Sequence, residues 1–210
     1  MPGGQGHAIQ EGVAIEAVLC DLYGVLAKVQ SEQSRAELVR LAGVPPAEFW
    51  TAYEGERDAY DGNWVPPEEY WRRVGRRLGV RFTEQQIAEL VAADLTSWQQ
   101  MDADMVDSLD RIGQRYRLAL LSNAPLPLVQ WLRRTQPWLN TFEFCCFSAE
   151  TGLVKPQPAA YTDALARFTL PASQVLFVDD REINCAGAAA SGLRTHLFRG
   201  GDALFRALGL

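Results

Sequence analysis

Residues 16–27 read EAVLCDLYGVLA, and this stretch decides the fold: an apolar run halts at one acidic residue and a glycine-containing turn follows. Ala17, Val18, Leu19 and Cys20 show no polar alternation, the pattern of a strand covered on both faces, as in a parallel sheet between two layers of helices. Asp21 then stands at the carboxyl end of that strand. In open α/β sheets, ligands bind in the crevice outside the carboxyl ends, near the point where strand order reverses. A carboxylate there is a candidate nucleophile or metal ligand, although Asp followed by Gly24 is also ordinary turn chemistry.

Three further stretches favour chemistry over a turn. RLALLSN (117–123) is an apolar strand ending in Ser122 and Asn123, and VLFVDD (175–180) ends in Asp179 and Asp180. Between them, GLVKPQP (152–158) presents Lys155 on a loop stiffened by Pro156 and Pro158. Each group has a bland use as well, since Asp179 and Asp180 can cap the next helix and Ser122 and Asn123 can close a turn. Two adjacent acids directly after VLFV exceed what a cap requires. A phosphomonoester dianion repels a carboxylate, so attack by Asp21 on phosphorus needs neighbouring cations. Magnesium suits that need, because it takes oxygen ligands and binds one or two carboxylates together with substrate phosphate and water.

In this order and at these separations the four stretches resemble the motifs of the haloacid dehalogenase (HAD) superfamily, dominated by magnesium-dependent phosphohydrolases; the likeness runs from Ala14 to about Leu208. The resemblance implies that Asp21 is the nucleophile and that Asp21, Asp180 and the backbone carbonyl of Tyr23 hold Mg2+, with Asp179 a further or water-mediated ligand. It makes Lys155 the cation that orients Asp21 and the transferring phosphoryl group, and Ser122 and Asn123 donors to phosphoryl oxygens. Asn184 resembles a position that hydrogen-bonds the metal ligands or the lysine.

One departure is informative. Phosphatases of the superfamily usually carry Asp two residues after the nucleophile, where this chain has Tyr23. That Asp protonates the leaving alkoxide and then activates water, and a phenol with a pKa near ~10 is a poor base at neutral pH. L-2-haloacid dehalogenases also resemble this chain in having Tyr there, and a halide leaving group needs no proton. Against them, they resemble SSN where this chain has Asp179-Asp180-Arg181, they work without a metal, and they usually have Thr in place of Val25. The expectation is therefore a phosphatase acting on a small phosphomonoester through an aspartyl phosphate. The alternatives are a dehalogenase-like hydrolase and a phosphate-binding or interaction protein with little turnover.

The remaining sequence sets the frame. At 210 residues the chain exceeds one compact core, and nothing over residues 29–101 alternates like a strand. Helical patterns instead begin at Ser31, at Pro45-Pro46 (AEFWTAYEGERDAY), at Pro66-Pro67 and at Thr83. Residues 29–101 are thus expected to form an all-helical cap inserted into an α/β core of 13–28 and 102–210, a doubly wound parallel sheet in which strands alternate with helices. A lid of this kind selects substrates. Trp50, Tyr53, Tyr60 and Trp64 are candidates to line it, or else to pack its interior.

A net charge of −6 without a dense basic tract argues against nucleic acid, and the arginines at 72, 73, 76 and 77 read as one solvated helix face. The four cysteines lack metal-ligand spacing and read as buried thiols. No secretory pattern opens the chain and no apolar run is long enough to span a membrane, so a cytoplasmic enzyme with a small-molecule substrate is expected. His7 and His196 are given no role, and nothing specifies an oligomeric state.

Overall fold

The computed structural model describes residues 14–210, so His7 lies outside it. Its strands are β1 (Ala17–Cys20), β2 (Arg117–Ser122), β3 (Phe144–Phe147), β4 (Val175–Asp179) and β5 (Arg194–Leu197). All pair in parallel, in the order β3-β2-β1-β4-β5. The chain steps outward from β1 through β2 to β3, then crosses back to lay β4 on the other side of β1. Strand order therefore reverses between β1 and β4, the place where such sheets open a crevice. This is the doubly wound α/β sheet that the alternating pattern predicts.

Before β2 come α1 (Glu32–Ala42), α2 (Pro46–Glu54), α3 (Arg57–Asp61), α4 (Pro67–Arg77), α5 (Glu84–Ser97), α6 (Ala103–Asp107) and α7 (Leu109–Gly113). After it come α8 (Leu126–Thr135), α9 (Ser148–Thr151), α10 (Pro158–Phe168), α11 (Glu182–Ala190) and α12 (Gly201–Leu208). The period of two along each strand sends successive side chains to opposite faces of the sheet. Val18, Cys20, Leu118, Leu120, Leu176 and Val178 pack with Met105, Ile112, Leu132 and Leu204 from α6, α7, α8 and α12. Ala17, Leu19, Ala119, Leu121, Val175 and Phe177 pack on the other face with Tyr161, Phe168 and Ala188 from α10 and α11. Full burial of each large apolar side chain stabilises by roughly 1.5–3 kcal/mol, which explains why the central strands β1 and β4 are apolar almost throughout, whereas the edge strand β5 is polar and partly exposed.

Helices α1 to α5 gather around a separate apolar cluster that includes Leu38, Phe49, Tyr53, Tyr70, Trp71, Ile87 and Leu90. Their starts are set locally: Ser31 accepts from the Ser34 N–H, Pro46 and Pro67 open α2 and α4, and Thr83 forms a reciprocal capping box with Gln86. The AEFWTAYEGERDAY pattern, expected as one helix, divides into α2 and α3 at Gly55, a weak helix former, and α6 and α7 are parted at Ser108. There the Ser108 hydroxyl bonds the Met105 carbonyl at 2.6 Å, local competition that disfavours serine within a helix.

Among the hydrogen bonds that join this helical layer to the core, two link residues far apart in sequence. Trp64 Nε1 donates to the Gly152 carbonyl at 3.2 Å, and the buried Ser148 Oγ donates to the Asp61 carbonyl at 2.6 Å while accepting from the Ala124 N–H at 2.9 Å. Arg72 and Arg76 pair with Glu84 and Glu69 on the surface, and the four cysteines are unpaired. No helix among the described residues is long and apolar enough to cross a membrane.

Candidate active site

The loop leaving β1 begins in register with the sheet, the Asp21 N–H bonding the Val178 carbonyl at 2.8 Å. Asp21 Oδ1 then accepts from the Leu22 N–H and lies 2.7 Å from Lys155 Nζ. The same ammonium donates to Asp179 Oδ2 at 2.8 Å, so one buried lysine bridges the ends of β1 and β4 across the reversal point. Two devices hold it there. Asn123 brackets its backbone, Nδ2 donating to the Lys155 carbonyl and Oδ1 accepting from the Lys155 N–H, each at 2.9 Å. Gly187 in α11 lets the loop approach, because a Cβ at that position would lie 2.8 Å from the Pro156 carbonyl oxygen.

Asp179 is further fixed by the Arg181 N–H and by Asn184 Nδ2, which lies 3.0 Å from both carboxylate oxygens. Asp180 comes over the turn at Gly24, whose φ of +85° and missing side chain make room: a Cβ there would meet the Asp180 carboxyl carbon at 2.3 Å. Asp21, Asp179 and Asp180 each offer an oxygen within 4.8 Å of the others. Three carboxylates facing one ammonium leave an excess negative charge that a divalent cation would match, and an all-oxygen donor set fits magnesium.

The electrostatics carry the same imbalance. Burial pushes the Asp21 carboxyl up to about 8, Lys155 pulling against the rise and Asp179 adding to it. Burial would lower the Lys155 ammonium, but Asp21 and Asp179 outweigh it and hold the group above its usual range. Asp180 is raised by burial and by Asp179.

The sequence-derived residues do not all reach the same space. Asp21, Tyr23, Asn123, Lys155, Asp180 and Asn184 line a cavity of about 870 Å³ between the sheet and the helical layer. Asp179 lies behind Lys155. Ser122 closes β2 on the same face as Leu118 and Leu120; its hydroxyl is buried without a hydrogen-bond partner among the described residues and lies outside the cavity wall. Asn123 reaches the wall with its carboxamide already engaged by the backbone of Lys155. The Tyr23 hydroxyl is buried, also unpartnered among the described residues, and its ring meets Trp98 edge-on at 4.9 Å.

The opposite wall comes from the helical layer and was only partly foreseen. Of the four aromatic candidates Tyr53 lines the cavity, whereas Trp50, Tyr60 and Trp64 do not. Arg57 organises this wall: its guanidinium bonds Asp61 Oδ1 at 2.6 Å, Asp94 Oδ2 at 3.2 Å and the Tyr53 hydroxyl at 3.0 Å. Tyr53 in turn donates to Asp94 at 2.6 Å. The one sequence signal for this network is an arginine four residues before an aspartate on a helix rich in aromatic residues.

A sequence model of the haloacid dehalogenase-like hydrolases matches residues 15–192. The chain belongs to this family and is a hydrolase. It is 25% identical over 183 residues to the sesquiterpene phosphatase astK of Aspergillus oryzae, covering 85% of this chain and 87% of that one. A HAD family enzyme of Bacteroides thetaiotaomicron superposes with a TM-score of 0.75 at 22% identity, covering 92% and 98% of the two chains. That enzyme has also been solved in complex with magnesium and inorganic phosphate. An L-2-haloacid dehalogenase superposes with a TM-score of 0.66 at 21% identity, covering 87% and 86%.

Proposed function

We propose that the protein is a magnesium-dependent phosphatase that hydrolyses a small phosphomonoester through an aspartyl phosphate on Asp21. The observation that carries this reading is the trio of carboxylates converging within 4.8 Å around a single ammonium. Asp21, Asp180 and the Tyr23 carbonyl would hold the metal, with Asp179 behind them. When bound, the metal supplies charge neutralisation for the phosphoryl group and its attacker.

The chain's own residues do the rest. Lys155 and the Leu22 N–H fix Asp21 through Oδ1, leaving Oδ2 uncommitted among the described residues. Asp21 attacks phosphorus, the alkoxide leaves, and water then cleaves the acyl phosphate to return the carboxylate. Residues 29–101 act as a cap that selects the leaving group and excludes water, in a cytoplasmic enzyme. The phosphatase named among the relatives supports phosphate ester chemistry.

Tyr23 keeps dehalogenation as the competing reading, since the structural relatives include an L-2-haloacid dehalogenase. Asp180 in the cavity wall disfavours it by repelling a haloacid anion. A parallel assay of phosphate and chloride release, with magnesium and with EDTA, separates the two. Phosphate release stopped by EDTA is the expected result, and chloride release indifferent to EDTA would overturn the proposal.

A further inference from the structure

We propose that Asp61, carried by the helical layer, is the general acid and base of the reaction, in place of the carboxyl that Tyr23 displaces; this rests on the phosphatase reading above. A phosphomonoester with a poor leaving group needs a proton donor at the leaving oxygen, and the aspartyl phosphate then needs a base for water. Tyr23 is no substitute as that base, because a phenol with an ordinary pKa near ~10 keeps its proton at neutral pH. Asp61 lines the same cavity as Asp21, Tyr23 and Lys155, and is 8% exposed. Its Oδ1 is held by Arg57 at 2.6 Å, and no hydrogen bond reaches Oδ2 among the described residues.

The groups around this carboxyl are Arg57 and Asp58 on its own helix, Asp94 on α5, and the phenols of Tyr23, Tyr60 and Tyr70. Burial raises Asp61 to about 6, Arg57 pulling it down and Asp94 and Asp58 pushing it up, so both protonation states are accessible near neutrality. In the first step protonated Asp61 gives its proton to the leaving oxygen as the P–O bond breaks. In the second, the carboxylate takes a proton from the water that attacks phosphorus, and the cycle closes with Asp61 protonated and Asp21 free. The Asp61 carbonyl is the acceptor of the Ser148 bond that seats the helical layer, so the acid is in position when that layer is docked.

The test is a series of aryl and alkyl phosphates of decreasing leaving-group acidity, assayed with magnesium for the wild type and for Asp61→Asn, Asp94→Asn and Asp21→Asn. Asparagine at 61 keeps an oxygen for Arg57 and cannot transfer the proton. Asp61→Asn should lower kcat/KM on alkyl phosphates by about 10²–10⁴-fold and on p-nitrophenyl phosphate by less than about 10-fold, steepening the dependence on leaving group. Asp94→Asn, which loosens Arg57 from its other carboxylate, should shift all substrates alike. Parallel loss across the series for Asp61→Asn, or retained alkyl phosphatase activity, overturns the assignment of Asp61 alone. A wild type inactive on every member, or an active Asp21→Asn, overturns the phosphatase reading and Asp61 with it.

Discussion

Replacing Lys155 with methionine keeps most of the side chain's length but removes the ammonium lying 2.7 Å from Asp21 and 2.8 Å from Asp179. Both partners are buried, and deleting one member of a buried ion pair costs about 3–5 kcal/mol, because the orphaned charge stays desolvated. At about 2–4 °C per kcal/mol for a chain of this size, Tm should fall by about 6–20 °C. The loss should also depend on pH with a definite sign. The Asp21 carboxyl is raised above its unfolded value even with Lys155 present, so its contribution is favourable below the unfolded pKa and lost as pH rises through the folded one. Without the lysine the rise is larger, so the gap to wild type should stay level from about pH 5 to about pH 7 and widen as pH rises through about 8, where only the wild-type carboxyl ionises in the folded state. Thermal unfolding followed by circular dichroism in EDTA measures both. An unchanged Tm, or a gap no larger at about pH 9 than at about pH 7, would refute the view that Lys155 neutralises a buried acidic pair.

Gly24→Ala forces a methyl group to within 2.3 Å of the Asp180 carboxyl in a left-handed backbone conformation, so the carboxylate must withdraw. Apparent magnesium affinity, read from the metal dependence of turnover, should weaken by about 10–100-fold, the range for displaced metal-site support, and unchanged affinity would contradict the placement of Asp180. Ser148→Ala leaves the Ala124 N–H and the Asp61 carbonyl without their buried partner. Equilibrium urea unfolding should show a loss of about 1–3 kcal/mol, and an unmoved midpoint would mean that the bridge is not formed in solution.

The centre of the sheet was readable because β1, β2 and β4 are apolar on both faces and each ends where a candidate site residue begins. Asp21, Lys155, Asp179 and Asp180 are brought together by that topology, and local pattern carries the information. The opposite wall was not readable in the same way. Arg57, Asp61 and Asp94 lie on helices, and Trp98 at the end of one, whose position depends on contacts distant in sequence, Trp64 with Gly152 and Asp61 with Ser148. Such docking leaves no periodicity. Gly55 broke a helix that amphipathic spacing alone joined, and the four residues of α9 are too few to show a period at all. Ser122 illustrates the converse: its place at a strand end was plain, but the pleat that turns its hydroxyl away from the cavity follows only from the register of Leu118 and Leu120.

The most direct measurement is to quench turnover of p-nitrophenyl phosphate in acid, with magnesium present, and map phosphoryl adducts by peptide mass spectrometry. A phosphoryl group on the peptide spanning β1 and its following loop, located at Asp21 and absent from Asp21→Asn, is the predicted result. Active enzyme whose adduct lies on another residue, or which releases phosphate without labelling Asp21, would contradict the account.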